Sequence, residues 1–340
     1  MRCIIPAAGA GTRLRPHTHT KPKALLTLAN KPIISHIMDD VLDAGINDFV
    51  IIVGYEKEKL KAYVETNYDT VCSVKFIEQN ERRGLGHAIY LAGDYLDGDP
   101  VLIVLGDSLY EKSFHAMITD FNQYPELVGA ITVRSVPDPQ NYGIAVTQEG
   151  TNLIKRLEEK PKNPSSSNAI TGVYFIRNSL ALKECLQELV KQNQRGTGGE
   201  LQLTDALQMM ITQGFSLGSV DSGQWFDCGR KEALLGAHEY VLNKKRQPTI
   251  DSKLDNTIII PPVAIDSDCQ IVNSIIGPYV SIAKGTEVNR GIISSSIVGM
   301  FSKLMNVSIH DSVIGDEVKM VGGLSDLNIG DHSSLSLNNS

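Results

Sequence analysis

Aromatic residues are scarce in this sequence, and positive charge is in the minority. Phe, Trp and Tyr make up 6% of the 340 residues, and the formal net charge is −7. Proteins that bind nucleic acid carry a basic surface, commonly with aromatic side chains on which bases stack. The composition therefore argues against a nucleic-acid partner. Any phosphate site must be a local basic pocket on an acidic protein.

Cysteine is also sparse, and long apolar runs are missing. The five cysteines are odd in number and show neither CxxC nor Cys/His spacing. This argues against zinc and favours reduced thiols, so we expect a cytoplasmic protein. No apolar run reaches the ~18 residues of a membrane span, and the N-terminus enters a strand without signal-peptide features. We therefore expect no membrane partner.

Residues 1–247 alternate strand-like and helix-like segments. The β-branched and leucine runs predict strands at Cys3–Ile5, Phe49–Val53, Val74–Ile77, Val101–Leu105, Gly129–Arg134, Gly143–Thr147, Leu153–Glu158 and Ala169–Ile176. Helical periodicity predicts helices within Lys31–Gly45, Glu56–Thr66, Gly86–Leu96, Ser179–Lys191, Leu203–Thr212 and a last one ending near Lys245. This alternation predicts an α/β domain with a doubly wound, Rossmann-like sheet that is mixed but mostly parallel. Ligands bind beyond the carboxyl ends of such strands.

Residues 248–340 repeat a short unit of hydrophobic residues and glycine. The units SIIGPYV, SIVGMFS, SVIGDEV and LNIGDHS place glycines at 277, 299, 315 and 330, which are 22, 16 and 15 residues apart. Such a period predicts stacked coils that bury each other's apolar faces. The pattern resembles the hexapeptide repeats of left-handed parallel β-helices. We expect about four or five coils, with insertions or corners where the spacing is irregular.

The sequence PAAGAGTRLRPHTHTKPK (residues 6–23) follows the first predicted strand. Gly9 and Gly11 lack a Cβ and allow close approach of a ligand, while Arg13 and Lys23 supply two cations. Backbone N–H groups of such a turn suit phosphate oxygens. Leu14 stands where GxGxxG requires a third glycine, and there is no GK[ST]. The two glycines alone would fit an ordinary turn.

The larger block changes this interpretation. GAGTRLRP followed by TKPK resembles the signature of sugar-phosphate nucleotidylyltransferases. Over residues 1–245 the resemblance continues in the family's order through EQ and GLGHA (residues 78–88), LGD (105–107), DPQNYG (138–143), EKP (159–161), GELQLTDAL (199–207) and WFDCG (225–229). Within the family, the C-terminal repeats are similar to those of long-form glucose-1-phosphate thymidylyltransferases.

The resemblance implies a role for each matched position. It implies that Arg13 holds the departing pyrophosphate, that Lys23 holds the α-phosphate, and that Asp107 and Asp227 bind Mg²⁺. The residues implied to bind the nucleotide are Ala8, Gly9, Gly11, Gln79 and Gly84. The residues implied to bind the sugar phosphate are Gly143, Glu159, Lys160 and Gly172. The reaction would be attack of a sugar 1-phosphate on the α-phosphorus of a nucleoside triphosphate, which needs positioning and charge neutralisation but no side-chain nucleophile.

Several alternatives stay open from sequence. Our first choice of substrates is dTTP and glucose 1-phosphate, with UTP- or GTP-dependent enzymes acting on glucose or mannose 1-phosphate as alternatives. A bifunctional nucleotidylyl- and acyltransferase would use His310 as a base, although a structural role for His310 is simpler. A non-catalytic regulator usually loses the arginine, lysine or aspartates that are all present here. We interpret His17 and His19 as surface residues rather than metal ligands, treat His87 as structural, and expect a homo-oligomer.

Overall fold

The computed structural model describes residues 1–193, 196–244, 250, 252–322 and 326–336. The chain forms two compact units. Unit 1 comprises Met1–Ala10 and His36–Trp225, and unit 2 comprises Gly11–Ser35 and Phe226–Ser340. The predicted domain boundary after residue 247 lies among residues 245–249, outside the described residues.

The strands of the first 227 residues alternate with helices, as the sequence pattern predicts. The strands are β1 (Arg2–Pro6), β2 (Thr27–Leu28), β3 (Lys31–Pro32), β4 (Asp48–Val53), β5 (Ser73–Glu78), β6 (Val101–Val104), β7 (Ser108–Tyr110), β8 (Gly129–Ser135), β9 (Gly143–Thr147), β10 (Ile154–Glu159), β11 (Asn168–Ile176), β12 (Leu217–Asp221) and β13 (Trp225–Asp227). The helices are α1 (Ile33–Asp43), α2 (Lys57–Tyr68), α3 (Leu85–Leu91), α4 (Phe114–Asn122), α5 (Ser179–Lys191), α6 (Leu203–Thr212) and α7 (Lys231–Lys244).

The main sheet of unit 1 confirms the predicted Rossmann-like fold. Its strand order is β10-β9-β11-β6-β1-β4-β5, and β8 pairs with both β11 and β12. The strands β6, β1, β4 and β5 are mutually parallel, whereas β11 runs antiparallel to β6. All four residues of β6 are buried, because the sheet is covered on both faces there.

The predicted helix Gly86–Leu96 is shorter in the structure. Helix α3 ends at Leu91, and a separate 3-10 turn spans Gly93–Tyr95. Glycine inside a helix is less favourable than alanine by roughly 1 kcal/mol, which makes Gly93 a poor continuation of α3. The sequence pattern also did not predict β7 and α4, which occupy part of residues 106–128.

The C-terminal part of unit 2 is built from short strands that stack coil upon coil. They are β14 (Lys253–Asp255), β15 (Ile258–Ile259), β16 (Val263–Ile265), β17 (Gln270–Val272), β18 (Ile275–Ile276), β19 (Val280–Ile282), β20 (Glu287–Asn289), β21 (Ile292–Ile293), β22 (Ser296–Val298), β23 (Lys303–Met305), β24 (Ser308–Ile309), β25 (Val313–Ile314), β26 (Lys319–Val321), β27 (Asn328–Ile329) and β28 (Ser334–Ser336). Within the described ranges they form parallel sheets ordered β14-β17-β20-β23-β26-β28, β15-β18-β21-β24 and β16-β19-β22-β25-β27. This is the predicted left-handed parallel β-helix.

Apolar side chains stacked at equivalent positions fill the β-helix. Ile271 pairs in register with Val288, Val288 with Leu304, and Leu304 with Met320, and all four are buried. On this face each of these coils thus buries one apolar residue against the neighbouring coils.

The glycine repeat is in register for three of its four members. The register pairs Val298 with Ile314 and Ile314 with Ile329, so Gly299, Gly315 and Gly330 follow equivalent positions. A Cβ on Gly299 would clash with the carbonyl oxygen of Gly315, which requires glycine at this corner. Gly277 instead follows β18 on another face. The interval of 22 residues therefore joins positions on two different faces.

No helix of the described residues is long and apolar enough to cross a membrane. None of the five cysteines, all of them described, forms a disulfide.

Candidate active site

The carboxyl ends of β1, β4 and β5 bring two predicted motifs together in unit 1. The N–H of Tyr55 donates to the carbonyl of Ala8 at 3.3 Å. A Cβ on Gly54 would lie 2.8 Å from that carbonyl oxygen and 3.1 Å from the carbonyl oxygen of Gln79. Gly54 is thus the spacer between the start of the glycine loop and Gln79. The sequence reasoning missed it, although its place directly after a buried strand was a usable signal.

Gln79 is buried and held by two partners. Its Nε2 donates to the carbonyl of Gly84 at 3.0 Å and lies 3.2 Å from Nδ1 of His87. Burial, followed by the nearby charge of Arg83, lowers the pKa of His87, so the ring stays neutral and Nδ1 can accept the amide proton. His87 therefore orients the side chain of Gln79, which is predicted to contact the base. This contact is the structural role of His87.

Gly84 and Gly86 pack against the segment GELQL. The N–H of Gly86 donates to the carbonyl of Leu201 at 2.8 Å. A Cβ on Gly84, whose φ is +105°, would lie 2.6 Å from the same oxygen. Two motifs that are more than 100 residues apart in sequence thus meet through backbone contact, which only glycine permits here.

Asp107 follows β6 at the same edge of the sheet, and its side chain is partly exposed. The preceding Gly106 donates its N–H to the carbonyl of Pro6 at 3.1 Å, which fixes the Gly-Asp turn beside the end of β1. The hydroxyl of Ser108 donates to Oδ1 of Asp107 at 3.4 Å. The structure therefore brings Ala8, Gln79 and Asp107 to one edge of the sheet in unit 1.

Three of the four residues predicted to bind the sugar phosphate, namely Gly143, Glu159 and Lys160, form a second group in unit 1. Thr204 donates its hydroxyl proton to Oε2 of Glu159 at 2.7 Å. A Cβ on Gly143 would lie 3.0 Å from that same oxygen. The Nζ of Lys160 lies 3.7 Å from Oε1 of Glu159. Thr204 is a contact that sequence reasoning missed, although it lies within the matched segment GELQLTDAL.

Gly172 and Asp205 show two further constraints in unit 1. Gly172 has φ +98°, and a Cβ there would lie 2.5 Å from Cδ1 of Leu105. The fold itself therefore requires glycine at residue 172.

Burial, and then the negative charge of Glu159, raise the pKa of Asp205 above its usual range.

Unit 2 holds the two cations of the signature loop and the second aspartate. The Nζ of Lys23 lies 3.6 Å from Oδ1 of Asp227, and the Lys23 side chain is only 10% exposed. A Cβ on Gly229 would lie 2.8 Å from Nη2 of Arg13 and 2.9 Å from Oδ1 of Asp227. Arg13, Lys23 and Asp227 are therefore gathered around the glycine of WFDCG.

The fold requires glycine at only one of the two loop positions, Gly11 and not Gly9. Gly11 has φ +60°, and a Cβ there would lie 3.0 Å from Cγ2 of Thr18 and 3.2 Å from Cβ of Lys23, so the fold requires glycine. Gly9 is exposed, and a Cβ there would meet no atom of the described residues within 4 Å. The folded chain does not explain Gly9, whereas close approach of a ligand would.

The prediction that His17 is a surface residue was wrong. His17 is 4% exposed, and its Nε2 lies 2.7 Å from Oδ1 of Asn328 on the β-helix. The partner is 311 residues away in sequence, so no local pattern could indicate it. His19 is exposed, as predicted, and His310 is exposed as well.

The carboxylates predicted to bind Mg²⁺ fit one mode of binding. The Asp227 side chain is 31% exposed and Asp107 is partly exposed. In the part of the chain that the structure describes, no three His, Cys, Asp or Glu side chains are grouped to hold a metal. Mg²⁺ is commonly held by one or two carboxylates together with substrate phosphates rather than by a protein cage. The oxygen donors suit that mode.

Comparison with known proteins shows the family. Residues 2–244 match the family described as Nucleotidyl transferase, and the chain belongs to this family. Glucose-1-phosphate thymidylyltransferase of Streptomyces antibioticus is 29% identical over 362 aligned residues, covering 99% of each chain. Bifunctional protein GlmU of Methanocaldococcus jannaschii is 31% identical over 338 residues, covering 93% of this chain and 78% of that protein.

A solved structure shares the fold. The crystal structure of a UDP-glucose pyrophosphorylase complexed with UDP-glucose matches with a TM-score of 0.62 at 26% identity. The match covers 72% of this chain and 99% of the other.

Proposed function

We propose that the protein transfers a nucleotidyl group from a nucleoside triphosphate to a sugar 1-phosphate, with dTTP and glucose 1-phosphate as the substrate pair. The observation that carries the reaction type is the grouping of Arg13, Lys23 and Asp227 around Gly229, with Nζ of Lys23 3.6 Å from Asp227. Two cations beside a carboxylate suit a triphosphate and the metal that accompanies it. The similarity to the Streptomyces thymidylyltransferase over 99% of both chains supports the choice of substrates.

In the proposed reaction an oxygen of the sugar phosphate attacks the α-phosphorus in line. A new P–O bond joins the sugar phosphate to the nucleotide, and the bond between the α-phosphorus and the bridging oxygen breaks. Pyrophosphate leaves with that bridging oxygen. Phosphate is already a nucleophile, so the chain needs to align and neutralise rather than supply a covalent catalyst.

We assign the side chains as follows. Arg13 neutralises the departing pyrophosphate, and Lys23 neutralises charge at the α-phosphate. Gln79 and the backbone of Gly84 contact the base, while Ala8, Gly9 and Gly11 lie along the triphosphate. Glu159 and Lys160, with the backbone of Gly143 and Gly172, bind the sugar phosphate. Asp107 and Asp227 would hold Mg²⁺, which supplies further charge neutralisation at the phosphates.

A second candidate is a uridylyltransferase. The matching solved structure is that of a UDP-glucose pyrophosphorylase complexed with UDP-glucose, and this similarity supports uridine as the base. The base contact assigned to Gln79 and Gly84 is one side-chain amide and one backbone, which are compatible with either pyrimidine.

A panel of nucleoside triphosphates, each paired with several sugar 1-phosphates, tests the choice of substrates. Pyrophosphate release is measured for dTTP, UTP, GTP, ATP and CTP, each with glucose, galactose, mannose and N-acetylglucosamine 1-phosphate. We expect the highest kcat/KM for dTTP with glucose 1-phosphate. A preference for UTP over dTTP, with glucose 1-phosphate or with any other sugar phosphate of the panel, would instead support the second candidate, and absence of release from every pair would overturn the reaction type. Acetyl transfer from acetyl-coenzyme A to a hexosamine phosphate would revive the bifunctional alternative.

A further inference from the structure

The segment between Arg13 and Lys23 is held on the β-helix by charged and polar contacts within unit 2. The Nζ of Lys21 lies 2.6 Å from Oδ2 of Asp316 and 3.6 Å from Oδ2 of Asp331. The hydroxyl of Thr20 donates to Oδ2 of Asp331. We call these residues, together with His17 and Asn328, the Lys21 cluster.

The acceptors of the Lys21 cluster are themselves fixed by the β-helix. The N–H of Asp316 donates to Oδ1 of Asp331 at 2.7 Å, and the N–H of Met300 donates to Oδ1 of Asp316 at 3.0 Å. The side chain of Asp331 is 4% exposed, and the side chains of Asp316 and Lys21 are each less than a quarter exposed. These two carboxylates cannot rotate away from Lys21 without leaving the backbone N–H groups that they accept from unpaired. The β-helix corner is therefore a rigid platform for Lys21.

The path from this platform to the cations is short. Pro22 alone separates Lys21 from Lys23, and its ring fixes φ. Thr18, which is buried, donates its hydroxyl proton to the carbonyl of Gly11 at 2.8 Å, and Gly11 immediately precedes the 3-10 turn that carries Arg13. Displacing residues 16–21 would therefore move both cations.

We infer that Lys21 is a positioning residue, which holds Arg13 and Lys23 in place by fixing residues 16–21 to Asp316 and Asp331 of the β-helix. The inference rests on the proposed function for the roles of Arg13 and Lys23. It gives the β-helix a direct part in catalysis, beyond stability or assembly. A misplacement of about 1 Å at such groups can cost roughly 10²-fold in rate, so loss of the platform should be visible in kcat.

The test compares variants in the full-length protein. K21M removes the ammonium, and D316N keeps the shape of the side chain but removes the charge. The matched control is K303M, because the pair of Lys303 and Glu287, at 2.8 Å, also joins consecutive coils but is about half exposed. K21R is the conservative variant that should restore part of the lost rate.

Two readouts separate positioning from general stability. In K21M and D316N we expect kcat to fall about 10²-fold with little change in the KM for the sugar 1-phosphate. We also expect faster hydrogen–deuterium exchange in residues 11–26, while K303M matches the wild type in both. A lower melting temperature with unchanged kcat and unchanged exchange in residues 11–26 would overturn the inference.

The exchange measurement also separates this inference from the proposed function. If the wild-type protein released no pyrophosphate from any substrate pair, the proposed function would fail. Exchange in residues 11–26 of D316N would still decide the structural step, because it needs no substrate. Exchange equal to that of K303M would then overturn it.

Discussion

The Nζ of Lys23 lies 3.6 Å from Oδ1 of Asp227, so the cation assigned to the α-phosphate and a carboxylate assigned to the metal are direct neighbours. The pair is mostly shielded from solvent on the lysine side, which strengthens the attraction relative to an exposed pair. A substrate phosphate would compete with Asp227 for Lys23, and a divalent cation would compete with Lys23 for Asp227.

This arrangement predicts a metal-dependent reaction that is sensitive to Asp227. EDTA should abolish pyrophosphate release, and added Mg²⁺ should restore it. D227N should raise the Mg²⁺ concentration needed for half-maximal rate by ~10-fold or more, because a neutral amide is a weaker ligand for a hard cation. The control is D268N, since Asp268 is an exposed β-helix carboxylate 3.5 Å from Lys284. Full activity in EDTA would contradict the metal assignment.

Gly9 provides a prediction about ligand approach. G9A should keep the melting temperature of the wild type, because a Cβ at residue 9 meets no described atom within 4 Å. It should lower kcat/KM for the nucleoside triphosphate by roughly 10²-fold, because the methyl group would occupy space beside the phosphates. The control is G236A in α7, where a Cβ also meets no described atom within 4 Å. Equal kcat/KM values in G9A and G236A would refute the role of Gly9.

The sequence predicted the buried strands of the fold, but not the contacts that join residues distant in sequence. The apolar runs at Cys3–Ile5 and Val101–Leu105 predicted buried sheet strands, because an unbroken apolar segment has to be covered on both faces, and the structure pairs them as β1 and β6. The burial of His17 could not be predicted, since it depends on Asn328, a partner 311 residues away. The 22-residue interval between Gly277 and Gly299 could not be interpreted from the sequence either. Only the strand register shows that the two glycines lie on different faces of the β-helix.

The contact between Thr204 and Glu159 predicts a selective effect on the sugar phosphate. T204V removes a 2.7 Å hydrogen bond to the carboxylate and should lower kcat/KM for the sugar 1-phosphate by about 10-fold, since hydrogen bonds to charged groups contribute roughly 1.5–3 kcal/mol. The KM for the nucleoside triphosphate should not change. T212V is the control, because Thr212 is exposed and bonds only within α6 among the contacts described. An equal loss for both substrates would argue against a sugar-phosphate role.

His17 predicts how the stability of unit 2 depends on pH. Burial lowers the pKa of His17 despite its hydrogen bond to Asn328 and the negative charges of Asp331 and Asp316, and Lys21 lowers it further. The unfolded chain, with a histidine pKa of about 6.5, then binds more protons than the folded chain below that pH. Stability should therefore be complete above about pH 6.5 and fall as the pH drops towards the folded pKa.

H17N should flatten this part of the pH profile, whereas H19N, at an exposed position on the same 3-10 turn, should leave it unchanged. The measurement is the melting temperature between about pH 5 and pH 7. A wild-type melting temperature that rises as the pH falls through this range would contradict the sign of the effect.

Transfer of label from the α-phosphate of dTTP tests the central claim most directly. With glucose 1-phosphate present, the wild type should place the label in a sugar nucleotide and release unlabelled pyrophosphate. K23M should slow this by roughly 10³-fold, whereas K59M, which removes an exposed lysine 2.9 Å from Glu56, should not. Label that stays in dTTP or appears only in the free monophosphate, or a K23M rate near that of the wild type, would contradict nucleotidyl transfer through Lys23.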